Sequence, residues 1–238
     1  MVGGRGEEGA GAATGGSHYF SPVPAGTGER RPLRVELAGA ERELETAGGV
    51  FSPDRLDAGT SVLLATAPPP PPRGDLVDVG CGWGALALSM ALRAPEATVW
   101  AVDVNPRALE VTAANAARLG LPGVRAVLPE QVPPGLEVAA LWSNPPIRVG
   151  KELLHRLLLT WLPRLGAGAE AHLVVQRHLG ADSLQRWLQD EGLRAAGVRA
   201  PVERVRSARG YRVLRVGPVA TSAADAPGVP AGGPQAER

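Results

Sequence analysis

The chain has 238 residues, enough for one domain with extensions and a buried core, and cramped for two full domains. Apolar residues make up 44% of it, yet no stretch reaches the ~18 consecutive apolar residues of a membrane span, and no basic start with an apolar block opens it, so neither a span nor a secretory signal is expected. A net charge of +1 argues against coating nucleic acid through bulk charge, and the single cysteine, Cys81, excludes a disulfide framework; a cytoplasmic protein is expected. Lys151 is the only lysine, so arginine richness is a bias of the whole chain and carries little meaning by itself.

Residues 1–16 are Gly and Ala with scattered charge, and residues 217–238 are Ala, Pro and Gly, so both are expected to be disordered tails. Residues 17–67 read as an N-terminal arm, expected to lie over the cleft. Five prolines, Pro68 to Pro72, impose extended backbone and make residues 68–74 a connector to a domain at residues 75–216.

From residue 75 short apolar runs alternate with helical periodicity, the pattern of a parallel sheet covered by helices. Leu76 to Val79 reads as a buried strand, followed by a glycine turn and a helix from about Ala85 to Arg93. Thr98 to Val102 is a second strand, and Pro106 then opens a helix at its favoured first position, with Leu109, Ala113 and Ala116 on one face. Val124 to Leu128 and Val138 to Trp142 add two strands. The periodicity of Leu153, Leu154, Leu157, Leu158, Trp161, Leu162 and Leu165 predicts one helix over about Lys151 to Leu165. A fifth strand, Ala171 to Val175, precedes a helix with Leu184, Trp187 and Leu188 on one face. Val198 to Val205 and Tyr211 to Val216 flank a connection too short for a parallel crossover, so they form an antiparallel pair. The expected architecture is α/β, a seven-stranded, mainly parallel sheet with a C-terminal antiparallel hairpin and helices on both faces.

Three segments carry chemistry. In Asp78-Val79-Gly80-Cys81-Gly82-Trp83-Gly84 an acid ends a strand and three alternating glycines follow, a loop that lets a ligand rest near a helix N-terminus. The spacing differs from the dinucleotide pattern GxGxxG, and no lysine follows as in a phosphate-gripping P-loop. Asp103 ends the second strand 19 residues beyond Gly84; in a Rossmann-like sheet an acid there faces a cofactor's ribose hydroxyls, while Asn105 suits the cap of the following helix. Ser143-Asn144-Pro145-Pro146-Ile147 follows the fourth strand. Its prolines remove two backbone donors and leave carbonyl oxygens and the Asn144 amide oxygen as acceptors, which suits an amine donor.

Together these residues resemble class I S-adenosylmethionine-dependent methyltransferases of the small-domain group, which contains the ribosomal RNA guanine-N2 methyltransferases. The resemblance extends from about His18 to Val216: His18-Tyr19-Phe20-Ser21-Pro22, Gly49-Val50-Phe51-Ser52 and Leu56-Asp57-Ala58-Gly59-Thr60 resemble the group's lead-in, and Arg209 to Leu214 its closing strand. It implies a Rossmann-like fold and S-adenosyl-L-methionine as cofactor, bound by Asp57, Asp78, Gly80, Gly82, Gly84, Asp103, Asn105 and Glu130. It further implies that Asn144 and the Pro145 carbonyl accept the two hydrogens of a base's exocyclic amine, turning its lone pair toward the methyl group, with Pro146 stiffening the loop and Ile147 against the base. The implied substrate is a guanine of ribosomal RNA, naked or in a ribosomal subunit; oligomeric state is left open. A protein glutamine or an adenine is the alternative target, and a non-catalytic cofactor- or RNA-binding assembly factor the alternative class.

The chain departs from the group at Val127-Leu128-Pro129-Glu130, where relatives usually have a Ser-Asp pair meeting the adenine amine, and at Ala139, where many carry aspartate. His155, His172 and His178 lack metal-ligand spacing, and no metal site is expected. Arg194, Arg199, Arg204, Arg206, Arg209, Arg212 and Arg215 crowd the last hairpin, as an RNA-contacting surface or a solvated edge.

Overall fold

A computed structural model describes residues 29–147 and 150–220. The lead-in His18 to Pro22, residues 1–16 and residues 221–238 lie outside them. Among the described residues the backbone forms a two-stranded and a seven-stranded sheet. The small sheet pairs β1 (Arg31–Leu37) with β2 (Ala40–Thr46) antiparallel. α1 (Ala58–Leu64) follows, and then β3 (Asp75–Val79), α2 (Ala85–Arg93), β4 (Thr98–Val102), α3 (Pro106–Arg118), β5 (Val124–Val127) and β6 (Val138–Ser143). α4 (Lys151–Trp161), β7 (Leu165–Gln176), α5 (Ala181–Trp187, with further helical turns to Ala195), β8 (Val202–Ala208) and β9 (Tyr211–Val216) come next.

The large sheet has the order β5-β4-β3-β6-β7-β9-β8, parallel from β5 to β7, with β9 antiparallel to both β7 and β8. The expected seven strands with a terminal antiparallel pair are those observed. Connections run outward from β3 in one direction and from β6 in the other, so a crevice opens between the carboxyl ends of these two strands.

Alternation of side chains along each strand divides the core. Val77, Val79, Leu141 and Leu173 meet Leu154, Leu158 and Leu184 of α4 and α5 on one face. Leu76, Ala101, Ala140 and Val174 meet Leu63, Leu86 and Met90 of α1 and α2 on the other. The small sheet joins this second side: Leu33, Val35, Leu37 and Leu44 pack with Leu88 of α2 and Val111 of α3 in one cluster.

Several boundaries differ from the sequence reading. The expected helix through Leu165 stops at Trp161 and tightens into a 3-10 turn at Leu162–Arg164, because Pro163 has no N–H to bond the carbonyl four residues back. β7 takes Leu165 instead and is longer than expected. β8 begins at Val202 and includes Ser207 and Ala208, so the hairpin turn is only Arg209-Gly210, both in the left-handed region with φ 52° and 80°. Residues 217–220 remain bonded to the domain, Gly217 N–H to the Pro201 carbonyl at 3.0 Å and Val219 N–H to the Ala169 carbonyl at 3.0 Å.

Candidate functional site

β3 runs directly into the glycine loop. The Gly80 and Cys81 N–H groups both donate to the Val102 carbonyl, at 2.8 and 3.1 Å, so the loop folds over the end of β4 rather than continuing outward. Gly80, Gly82 and Gly84 have φ of 81°, 58° and 98°, and Gly84 is the cap residue of α2. A Cβ on Gly84 would stand 3.0 Å from Thr112 Cγ2, so a side chain there meets both a strained backbone and a tight neighbour.

Asp103, at the end of β4, accepts the Gly82 N–H on one oxygen at 3.0 Å and the Asn105 N–H on the other at 2.9 Å. It thereby ties the glycine loop to the start of α3. Burial raises its pKa against these hydrogen bonds. Asn105 caps α3 by accepting the Arg107 N–H at 3.0 Å and donates to the Gly49 carbonyl at 2.9 Å, so it also holds the segment before α1.

Asp78 is 1% exposed. One of its oxygens accepts the Ala87 N–H at 3.0 Å; the other is buried with no hydrogen-bond partner among the described residues. Burial pushes its pKa up to about 8. The group borders a small recess with Gly80, Gly82, Phe51 and Asn144.

Beyond the recess lies a cavity of about 860 Å³ at the carboxyl ends of β3, β4 and β6. Its lining includes Gly80, Asp103 and Asn105, the segment Asn144-Pro145-Pro146-Ile147, and Asp57, Tyr211 and Trp161. Ser143 lies behind it, its hydroxyl donating to the Val79 carbonyl at 2.6 Å and locking β6 to β3 in register. Asn144 donates from Nδ2 to Asp57 Oδ2 at 2.9 Å and to Thr60 Oγ1 at 3.0 Å. Asp57 caps α1, its Oδ2 also accepting the Thr60 N–H at 3.0 Å.

The structure therefore brings Asp57, Asp78, Gly80, Gly82, Asp103, Asn105 and the Asn144–Ile147 segment around one space and its recess. Gly84 stands behind as the helix cap. Glu130 is exposed on a 3-10 turn, and Pro129 rather than Glu130 lines the cavity. Thr60 was not singled out from sequence: its partner is 84 residues away, and a Thr in the first turn of a helix gives no local signal. His155 stacks on Trp187 with ring centroids 3.5 Å apart, joining α4 to α5. No cluster of metal-ligating side chains occurs among the described residues.

Residues 41–215 match the family described as methyltransferase small domain. The YbxB protein of Bacillus subtilis (strain 168), which is uncharacterized, is 31% identical over 176 residues, 73% of this chain and 88% of that protein. Ribosomal RNA small subunit methyltransferase C of Pseudomonas paraeruginosa is 33% identical over 183 residues, 70% of this chain and 54% of that enzyme. Among solved structures, the T. thermophilus 16S rRNA N2 methyltransferase in complex with AdoMet and guanosine superposes with a TM-score of 0.64 at 21% identity, over 79% of this chain and 50% of that one, and shares its fold. This chain spans about half the length of these two ribosomal RNA methyltransferases.

Proposed function

The chain belongs to the methyltransferase small domain family, and from that premise we propose that it transfers a methyl group from S-adenosylmethionine to the exocyclic N2 amine of a guanine in ribosomal RNA. The observation that carries this reading is that Gly80 of the glycine loop, Asp103 and the Asn144-Pro145-Pro146 turn line one cavity. A cofactor grip and an amine acceptor at the ends of neighbouring strands are what methyl transfer to a planar amine requires.

The residues present fit the cofactor. Asp78 holds an unpartnered buried oxygen at the recess, a place for an ammonium, and Asp103 lines the cavity, a carboxylate for a ribose diol. Gly80 and Gly82 keep the loop open to close backbone approach. When bound, S-adenosylmethionine supplies a methyl group that carries its own leaving group. The chain's task is then positioning: Asn144 Oδ1 and the Pro145 carbonyl accept from the target amine, orienting its lone pair and stabilising the positive charge that develops there. Ile147 covers one face of the base. Gly49, Val50 and Phe51 line the cavity from the segment before the proline run, which acts as an arm over the cleft. Among the described residues no helix is long and apolar enough to cross a membrane. The proposed substrate is ribosomal RNA or a ribosomal subunit, and the proposed location the cytoplasm.

The test is incubation of the purified chain with S-adenosylmethionine and ribosomal RNA from cells lacking the gene, followed by nucleoside mass spectrometry. N2-methylguanosine is expected, lost with Asn144→Ala. A methylated adenosine, or methyl groups found only on protein glutamine, would overturn the substrate. Cofactor binding with no transfer to any of these would indicate the assembly-factor role instead.

A further inference from the structure

The cap residue of α1, Asp57, and a threonine of its first turn, Thr60, reach across the fold to the side chain assigned to the target amine. Asn144 Nδ2 has two hydrogens, and both are taken: one by Asp57 Oδ2 at 2.9 Å, the other by Thr60 Oγ1 at 3.0 Å. Asp57 Oδ2 also accepts the Thr60 N–H at 3.0 Å, so it acts as an acceptor toward both neighbours. A flipped Asn144 amide would press its oxygen against that carboxylate, with no hydrogen between them. Thr60 is 5% exposed, which keeps water from competing for its hydroxyl. Only one face of the Asn144 amide is left for the cavity, and it is the oxygen.

We propose that Asp57 and Thr60 are positioning residues that clamp the Asn144 amide with its oxygen toward the target, and so restrict the site to a target that presents hydrogen-bond donors, an NH2 group, rather than a carbonyl or bare ring nitrogen. The inference rests on amine methylation as the activity and assigns Asp57 to Asn144 rather than to the cofactor. Its energetic basis is that an amide free to rotate offers the target a donor about as readily as an acceptor, and a buried donor facing an amine leaves both unpaired.

The variants that separate this role from folding are Asp57→Ser, which retains a capping side chain but is too short to reach Asn144, and Thr60→Val, which keeps the backbone N–H. Each is expected to lower the single-turnover rate on ribosomal RNA by about tenfold to a hundredfold, with cofactor affinity within about twofold of wild type. In an Asn144→Asp background the sign changes: both carboxylate oxygens accept, no orientation is needed, and Asp57→Ser removes a like charge, so the rate stays level or rises. An equal loss in both backgrounds would mean that Asp57 supports the fold only. Weaker cofactor binding with an unchanged rate at saturation would return Asp57 to the cofactor. A readout independent of activity is the Asn144 side-chain NH2 in NMR of the ligand-free chain, expected to be protected from hydrogen exchange in wild type and exposed in Asp57→Ser. Solvent-rate exchange in wild type would overturn the clamp; a protected amide in a chain that methylates no amine would overturn the activity instead.

Discussion

The Asn115 carboxamide grips the Glu45 peptide from both sides, accepting its N–H at 2.7 Å and donating to its carbonyl at 2.9 Å. Its second N–H goes to the Trp83 carbonyl at 3.0 Å. One side chain of α3 thus substitutes for a strand beside β2 and holds the glycine loop at the same time. Asn115→Leu fills a similar volume but leaves the Glu45 N–H and two carbonyls without partners at a site where Asn115 is 0% exposed. We expect a loss of about 2–4 kcal/mol in urea unfolding. A loss below about 0.5 kcal/mol would show that the peptide groups find other partners at no net cost.

Asp103 orders two backbone donors besides facing the cavity. Asp103→Ala should therefore weaken S-adenosylmethionine binding by about 2–4 kcal/mol, through lost contacts to the ribose and a looser Gly82 turn. Calorimetry on the variant, shown to be folded by circular dichroism, measures this directly. Unchanged affinity would place the ribose elsewhere.

The central strands and the two loops they lead into could be read from sequence because each couples a short apolar run to residues of special backbone chemistry. Asp78 and the glycines after β3, Asp103 after β4 and Asn144-Pro145-Pro146 after β6 announce themselves locally. The β1–β2 hairpin lies outside the predicted elements although Leu33, Val35 and Leu37 alternate strictly ahead of Gly39, because β2 carries only Leu44 as a large apolar residue and no partner strand announces itself. The contact of Asp57 and Thr60 with Asn144 has no local signature at all: it exists only after α1 docks beside β7 and β9. Helix length through Leu165 was overestimated because leucine periodicity continues past Pro163, where the backbone does not.

Gly59 of α1 is packed against the first residue of β9. A Cβ there would stand 2.7 Å from Tyr211 Cε1 and 3.0 Å from Asp57 Oδ2. Gly59→Ala gains about 1 kcal/mol of helix propensity, but the Tyr211 ring, which lines the cavity, must shift to admit the methyl group. The expected outcome is a loss of about 1–3 kcal/mol in thermal unfolding, with a lower single-turnover rate. A variant as stable and as fast as wild type would mean that the ring has room to turn aside.

Asp78 sets a conflict between stability and ligand binding that pH exposes. Burial chiefly, opposed by the Ala87 hydrogen bond and reinforced by the charge of Asp103, raises its pKa from 3.8 to about 8. The folded chain therefore holds this proton across a range in which the unfolded chain has released it. The group's contribution to stability is complete below pH 3.8 and declines as pH rises toward about 8. Asp78→Asn removes the titration and keeps an acceptor for the Ala87 N–H. Ligand-free, the variant should melt near the wild-type temperature at about pH 4 and increasingly above it toward pH 8, by roughly 2–4 °C for each kcal/mol recovered. His172, held down to about 4 by burial and by Arg215, destabilises both proteins as pH falls below 6.5 and cancels in the difference. With S-adenosylmethionine the order should reverse, because an ionised Asp78 offers its unpartnered oxygen to an ammonium and an asparagine offers no charge. Melting curves from pH 4 to 9 with and without the cofactor decide it, and a difference that does not vary with pH would show that Asp78 stays ionised in the fold.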